Sequence, residues 1–242
     1  MLGGDGQVSS QGAGHGGSNR TSRYRLAVAL AILVAGVAAA TTAEAGSIQG
    51  FVRDSDGAAL SDAVISAVPP SGSPAVPKRG ARAVMDQQDK EFVPLVLAVQ
   101  VGTEVAFPNK DNLRHHVYSF SPAKKFELPL SKGTQAPPVR FDGHGIVVLG
   151  CNIHDWMLGY INVLETPYFA TTGVDGRAHI KDLPAGTYEV RLWHPRLPPG
   201  SAPPSQRITL VAGKDEQAEF TVRLQPDPRA GRTPSDSKRP RQ

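Results

Sequence analysis

The sequence predicts an all-β protein, and three observations support this fold class. No segment after residue 45 carries the apolar period of a helix over a useful length. Short stretches rich in Val, Ile, Tyr and Phe alternate with Gly, Pro and Asp, which is typical of strands joined by turns. The chain of 242 residues also holds 25 Gly and 21 Pro, a composition that favours strands and turns over long helices.

Residues 1–45 are predicted to be a secretory signal peptide. Three arginines between positions 20 and 25 precede an unbroken apolar run from Leu26 to Ala40. This run of 15 residues is shorter than the 18 or more expected of a membrane span. Ala43, Glu44 and Ala45 then resemble a cleavage site. We therefore expect a periplasmic protein, cleaved near Ala45, with no stable membrane insertion afterwards.

The mature chain is expected to consist of strands along its whole folded length. Residues 47–68 indicate two strands around a turn at Asp54–Gly57, and residues 69–82 form a Pro- and Gly-rich loop or linker. Strand patterns resume at Phe92 and continue through GIVVLGC and GYINVLE. The last folded block, to about residue 224, is a series of strands separated by Asp-Gly and Pro-Ala-Gly turns.

Residues 225–242 are predicted to be a disordered basic tail, because they combine five basic residues with Pro, Ser and Asp and cannot form a core. The whole chain has 26 basic and 22 acidic residues. The tail holds five basic and two acidic residues, and residues 1–45 hold three and two, so 18 of each sign remain. The folded part is therefore close to neutral, and nucleic acid is not an expected partner.

One segment, CNIHDWM, indicates a metal centre. Cys151, His154 and Met157 are spaced Cys-x2-His-x2-Met, and His115 and His116 lie about 36 positions upstream. One thiolate, two imidazoles and a thioether are the donor set of a blue-copper site, in which His2Cys is trigonal and Met is a weak axial ligand. Cys151 is the single cysteine of a chain predicted to be exported, so metal ligation gives it a role that a disulfide cannot.

The second imidazole stays ambiguous on the residues alone, because adjacent strand residues point to opposite faces. Either His115 or His116 could supply it. GIVVLGC and GYINVLE flank the Cys-His-Met segment, so this loop is expected to join two neighbouring strands. Trp156, inside the loop, is expected either to pack over the metal or to form part of an apolar docking patch around His154.

Residues 85–167 resemble a cupredoxin, most closely the amicyanin-like proteins and the exported group named methylamine-utilisation proteins. The resemblance rests on Asn109, on His115 six positions later, and on the Cys-His-Met spacing. It implies a Greek-key β-sandwich that holds one mononuclear type 1 copper through His115, Cys151, His154 and axial Met157. It also implies that Asn109 ties the two ligand loops together by hydrogen bonds, and that His116 is not a ligand.

A second resemblance is to the carboxypeptidase regulatory-like, or transthyretin-like, β-sandwich. It rests on GFVRDSDGAALSDAVISA near the start and DGRAHIKDLPAGTYEVRLWH near the end. These segments are successive parts of one domain in that family, and here they flank residues 85–167. The resemblance therefore implies a discontinuous sandwich over residues 46–68 and 168–224, with the cupredoxin inserted in it.

The sequence thus predicts an exported electron carrier rather than an enzyme. Paired carboxylates, a nucleophile elbow and phosphate-binding loops are all missing from the sequence. The expected partners are redox proteins, with an amine dehydrogenase or a cytochrome as candidates, and the carrier is expected to be a monomer. The alternative is a periplasmic copper carrier, or a module that binds carbohydrate or protein without transferring electrons.

Overall fold

The computed structural model describes residues 44–70 and 80–230, and within these ranges the chain forms 17 strands and no helix. The all-β prediction is therefore confirmed. The strands are β1 Gly46–Asp54, β2 Val64–Val68, β3 Arg82–Val84, β4 Asp86–Gln88, β5 Glu91–Val93, β6 Val96–Gln100, β7 Thr103–Ala106, β8 His115–Ser121, β9 Lys124–Leu130, β10 Val139–Phe141, β11 Gly145–Cys151, β12 Leu158–Leu164, β13 Phe169–Thr171, β14 Arg177–Leu183, β15 Gly186–Trp193, β16 Ser205–Leu210 and β17 Asp215–Val222.

The first hydrophobic core lies between two sheets built from both ends of the described chain. One sheet has the order β14-β1-β17, and the other has the order β13-β2-β15-β16. Alternate residues of each strand point inward, among them Ile48, Ile65 and Val190, which are fully buried. N-terminal strands thus pair with strands from beyond residue 168.

The second core lies between a five-stranded sheet, β6-β12-β11-β8-β9, and a three-stranded sheet, β10-β7-β3. Phe107, Phe141 and Leu149 fill its centre and are at most 1% exposed. A two-stranded hairpin, β4-β5, adds Phe92 to this core. The candidate metal ligands all lie in or beside this second core.

The turn predicted at Asp54–Gly57 is present. The amide of Gly57 donates to the carbonyl of Asp54, and the carboxylate of Asp54 accepts from the amides of Asp56 and Ala58. Gly57 has a φ of 88°, which favours glycine. The strands on either side of this turn do not form a hairpin, because β1 and β2 belong to opposite sheets of the first core.

Strand β9 was not apparent from the sequence. It begins with Lys124 and Lys125 and includes Pro129, which obscures the alternating pattern. It is an edge strand that pairs antiparallel with β8, where a proline is tolerated.

The start of the predicted tail is attached to the folded body. The amide of Gln225 donates to the carbonyl of Arg196, and the guanidinium of Arg196 donates to the carbonyl of Gln225. Arg229 pairs with Asp227 at 2.9 Å. Gln225 is thus bonded to the folded body, whereas the ion pair of Arg229 and Asp227 lies within the segment itself.

Three predicted features lie wholly or largely outside the described residues: the signal peptide up to residue 43, the linker over 71–79 and the tail from 231. Within the described ranges, no helix has the length and apolar character needed to cross a membrane.

Candidate metal centre

The five-stranded sheet positions the Cys-His-Met segment. Cys151 is the last residue of β11, and β12 begins at Leu158, antiparallel to β11. The predicted connection between two neighbouring strands is therefore confirmed. The amide of Met157 donates to the carbonyl of His154 at 2.9 Å, which closes the loop into a tight turn. His115 begins β8, which pairs with β11 on the side away from β12.

Three candidate ligands converge in space. The Sγ atom of Cys151 lies 3.6 Å from Nδ1 of His115 and 3.6 Å from Nδ1 of His154. One donor atom from each of the three residues lies within 4.8 Å of the others. His115 and Cys151 are 1% and 3% exposed, and His154 is 9% exposed. In the part of the chain that the structure describes, no second group of this kind occurs.

These distances fit a shared metal ion. Bonds of about 2.3 Å to sulfur and about 2.0 Å to nitrogen, the lengths that zinc adopts, place the two donors about 3.5–3.8 Å apart when they meet at about 110–120°. The observed separations of 3.6 Å lie in that interval. A thiolate with two imidazoles is suited to copper in both oxidation states. The donor set therefore supports one mononuclear copper ion.

Met157 is buried beside this cluster. It is 2% exposed and belongs to the same hydrophobic cluster as Cys151. A buried thioether is a soft, weak donor of the kind that the sequence predicts for the axial position, and the role of Met157 as a ligand stays a prediction.

The two adjacent histidines have opposite orientations. The ring of His115 points inward, and its centroid is 4.9 Å from that of His154. The ring of His116 is half-buried on the other face of β8, with Nε2 3.4 Å from Oε2 of Glu127 on β9. Of the two, the structure brings His115 to Cys151 and directs His116 away from it, which is the arrangement that the resemblance implies.

Asn109 does not have the partners that the resemblance implies. Its side-chain amide donates to the carbonyls of Leu113, at 2.8 Å, and Ser131, at 3.0 Å. Its oxygen accepts from the amide of Asp111. Asn109 thus links the loop before His115 to the loop after β9, and the expectation that it joins the two ligand loops is wrong. The loop after β9 is nearer because β9 pairs with β8 along its length.

Asp111 is a site residue that the sequence reasoning missed. Its Oδ2 atom lies 2.7 Å from Nε2 of His115, on the side of the ring opposite Cys151. The same carboxylate accepts from the backbone amides of Asp89 and Lys90, so the hairpin β4-β5 holds it in position. A carboxylate on the outer nitrogen of a ligand histidine fixes the tautomer and the ring orientation. The signal available in the sequence was an acidic residue four positions before His115.

Contacts within this cluster lower the pKa of Cys151 and raise the pKa of His115, so both shifts favour the charged forms. Burial would raise the pKa of the Cys151 thiol, but hydrogen bonds from His115, from the backbone amides of His116 and Ile153, and from His154 outweigh it and lower the pKa to about 6. Burial would lower the pKa of His115, but Cys151 and Asp111 together raise it. The metal-free site therefore favours a thiolate, the form that binds metal.

His154 lies at the surface end of the cluster. The ring of Trp156 packs against it, with centroids 5.4 Å apart at 57°. Ile153, which precedes His154 in the loop, is 49% exposed. Trp156 is half-buried, so it both covers His154 and leaves apolar surface open to a partner.

Comparisons with known proteins gave structural matches only. No protein-family model and no curated protein matches the chain. A purple cupredoxin from Nitrosopumilus maritimus is 25% identical over 35% of this chain and 99% of its own, with a TM-score of 0.30. The M98A mutant of amicyanin in its Cu(I) form is 22% identical over 43% of this chain and 99% of its own, with a TM-score of 0.31.

A copper-containing nitrite reductase from Thermus scotoductus SA-01 also matches. It is 24% identical over 47% of this chain, with a TM-score of 0.34, and the match covers 28% of the reductase. The chemistry of the site therefore rests on its own residues.

Proposed function

We propose that this protein is a type 1 copper protein that carries single electrons between redox partners, and that it is not an enzyme. The observation that carries this proposal is the convergence of one thiolate and two imidazoles, with Sγ 3.6 Å from each Nδ1. In the proposed site His115, Cys151 and His154 are the strong ligands and Met157 is the weak axial ligand. A copper ion bound there supplies the one-electron Cu(II)/Cu(I) couple.

Each side chain has a distinct part in this proposal. Cys151 gives the strong electronic coupling of a thiolate to the metal. His115 is fixed by Asp111 and by burial, so the geometry changes little between oxidation states. His154 is the most exposed of the three strong ligands and is the proposed route for electrons to and from the surface.

The proposed docking surface for the redox partner is formed by Ile153 and Trp156 around the edge of His154. Exposed apolar groups next to the most accessible ligand let a partner approach the metal closely and dissociate easily. A small contact of this kind is typical of transient electron-transfer complexes. An amine dehydrogenase or a cytochrome remains the proposed class of partner, and the carrier is proposed to act as a periplasmic monomer after export.

We also propose that residues 85–167 are a cupredoxin domain inserted in a regulatory-like sandwich of residues 46–68 and 168–224. Support comes from strand pairing: β1 pairs with β14 and β17, and β2 pairs with β13 and β15. A separate core within each of the two sets of strands is also consistent with two domains.

Voltammetry of the copper-loaded protein tests electron transfer against the alternative of a copper carrier. An electron carrier should give a reversible one-electron wave, with one copper per chain retained after many cycles. A carrier that releases its cargo should lose copper in one oxidation state or give an irreversible wave. The second result would overturn the proposed function and leave the donor cluster as a site of copper delivery.

A further inference from the structure

A cleft of about 360 Å³ lies between the two sets of strands, at a distance from the metal centre. One wall comes from β2 and β15, and the other comes from the start of β11 and the end of β12. Ile146, in this wall, precedes Cys151 by five residues on β11, or about 17 Å of extended strand. The volume lies at the lower end of the range for small-molecule sites, about 300–1,000 Å³.

The walls are the outward faces of two sheets. Ile65 and Ala67 point into the first core, so Ser66 between them points outward into the cleft. Ile161 and Val163 point into the second core, so Asn162 also points into the cleft. Beside the cleft, the rings of Tyr160 and Trp193 meet edge to face, with centroids 5.9 Å apart, and join the two sheets.

Two polar side chains in this cleft are buried without a partner. Asn162 is 4% exposed and Ser66 is 6% exposed. Neither side chain hydrogen-bonds to any described residue, whereas the hydroxyl of Thr166 on the same wall donates to the carbonyl of Ala67. The side-chain polar atoms of Asn162 and Ser66 are not fully enclosed. Among the described residues, the fully enclosed side-chain atoms without a hydrogen-bond partner belong to Arg53, Asp86 and Gln87. The polar atoms of Asn162 and Ser66 are therefore available to a bound molecule.

Arg191 is the one lysine or arginine among the lining residues, and it is paired with Glu189 at 2.6 Å. At the rim, the carboxylate of Glu165 lies 4.0 Å from Nε2 of His144. The described lining therefore offers no unpaired Arg or Lys to hold an anionic ligand. An entirely apolar ligand would leave the amide of Asn162 and the hydroxyl of Ser66 unpaired and removed from water, which is unfavourable.

We propose that this cleft binds a neutral, polyhydroxylated ring, that is, one or two units of a saccharide. The amide of Asn162 can both donate to and accept from sugar hydroxyls, and Ser66 can do the same. The indole of Trp193 and the side chain of Ile146 offer apolar surface to the C–H groups of the ring. None of the proposed metal ligands lines this cleft, so the saccharide proposal does not depend on the proposed copper centre.

Isothermal titration calorimetry on the full copper-loaded chain tests this inference, with glucose, cellobiose and N,N′-diacetylchitobiose as probes. At least one probe should bind. Asn162→Ala should weaken that binding by about tenfold, which corresponds to one or two lost hydrogen bonds. Ser66→Ala should weaken it several-fold while leaving the unfolding temperature unchanged or higher, because it removes an unpaired buried hydroxyl. Gln88→Ala, an exposed amide on the β4-β5 hairpin, is the matched control and should bind as the wild type does.

The visible spectrum of each variant shows that the metal-binding half remains folded. Glucose 6-phosphate tests the neutrality of the site, and it should bind no more tightly than glucose. The inference is overturned if none of the three saccharides binds at millimolar concentration, if both cleft variants bind like the wild type, or if the phosphorylated sugar is preferred.

Discussion

Replacing Asp111 by asparagine should raise the reduction potential of the proposed copper centre by about 100 mV. The carboxylate of Asp111 touches Nε2 of His115 and is 11% exposed, so water screens it little. A negative charge near the metal stabilises Cu(II) more than Cu(I). The amide of asparagine keeps a hydrogen-bond acceptor for the imidazole but removes the charge, so the oxidised state loses stabilisation and the potential increases.

The magnitude follows from the distance over which the charge acts. The Oδ2 atom is 2.7 Å from Nε2. The imidazole ring and a metal–nitrogen bond of about 2 Å add roughly 4 Å, which gives about 6.5 Å. At an effective dielectric constant of about 20, two unit charges at this distance interact by about 2.6 kcal/mol. One electron crossing 100 mV corresponds to about 2.3 kcal/mol, so the expected shift is about 110 mV.

Voltammetry of three variants measures this effect. Asp111→Asn should shift the potential upward, whereas Asp111→Glu retains the charge and should shift it much less. Asp142→Asn is the matched control. This exposed carboxylate pairs with Arg140 and lies just before the first residue of β11, at the end of that strand away from Cys151. An unchanged potential in Asp111→Asn, with copper retained, would show that the carboxylate does not act on the metal and would refute the reasoning.

Three further predictions concern the ligands. His115→Ala should abolish or radically alter the visible copper spectrum, whereas His116→Ala should leave it nearly intact, and the reverse result would move the ligand by one residue. Met157→Gln should keep the blue colour and lower the potential, because an amide oxygen favours Cu(II) more than a thioether does; an unchanged potential would mean that Met157 does not contact the metal. In the metal-free protein the thiolate absorbance of Cys151 should titrate near pH 6, against the usual 9.0 of an unfolded thiol. The contribution of the Cys151 thiolate to folding stability is fully present above pH 9.0 and is lost as the pH falls through about 6. A midpoint of the thiolate titration near pH 9 would contradict the hydrogen bonding described for the site.

The part of the site that is local in sequence was predictable. Cys151, His154 and Met157 lie within seven residues, so one short loop between two strands determines where they meet. The strands themselves follow from alternating patterns such as GIVVLGC, in which Val147, Leu149 and Cys151 all point into the core. The spacing of the ligands and the alternation of the strand residues were therefore enough to predict this part of the site.

The part that depends on long-range packing was not predictable. Asp111 acts on His115 because the β4-β5 hairpin, some 20 residues earlier, holds its carboxylate through two backbone amides. The partner of Asn109 depends on β9, a strand hidden by its lysines and proline. The cleft at Asn162 exists only because two sheets from distant parts of the chain face each other. Apart from the acidic residue four positions before His115, no local pattern indicates these pairings.

The optical and EPR spectra of the copper-loaded protein, beside those of Cys151→Ser, test the central claim most directly. The wild type should bind one copper and show an intense visible thiolate-to-Cu(II) band with narrow copper hyperfine splitting. Cys151→Ser should lose both features and retain at most a weak, colourless site. A colourless wild type, or a variant that remains blue, would contradict the proposal that Cys151 holds copper in a type 1 centre.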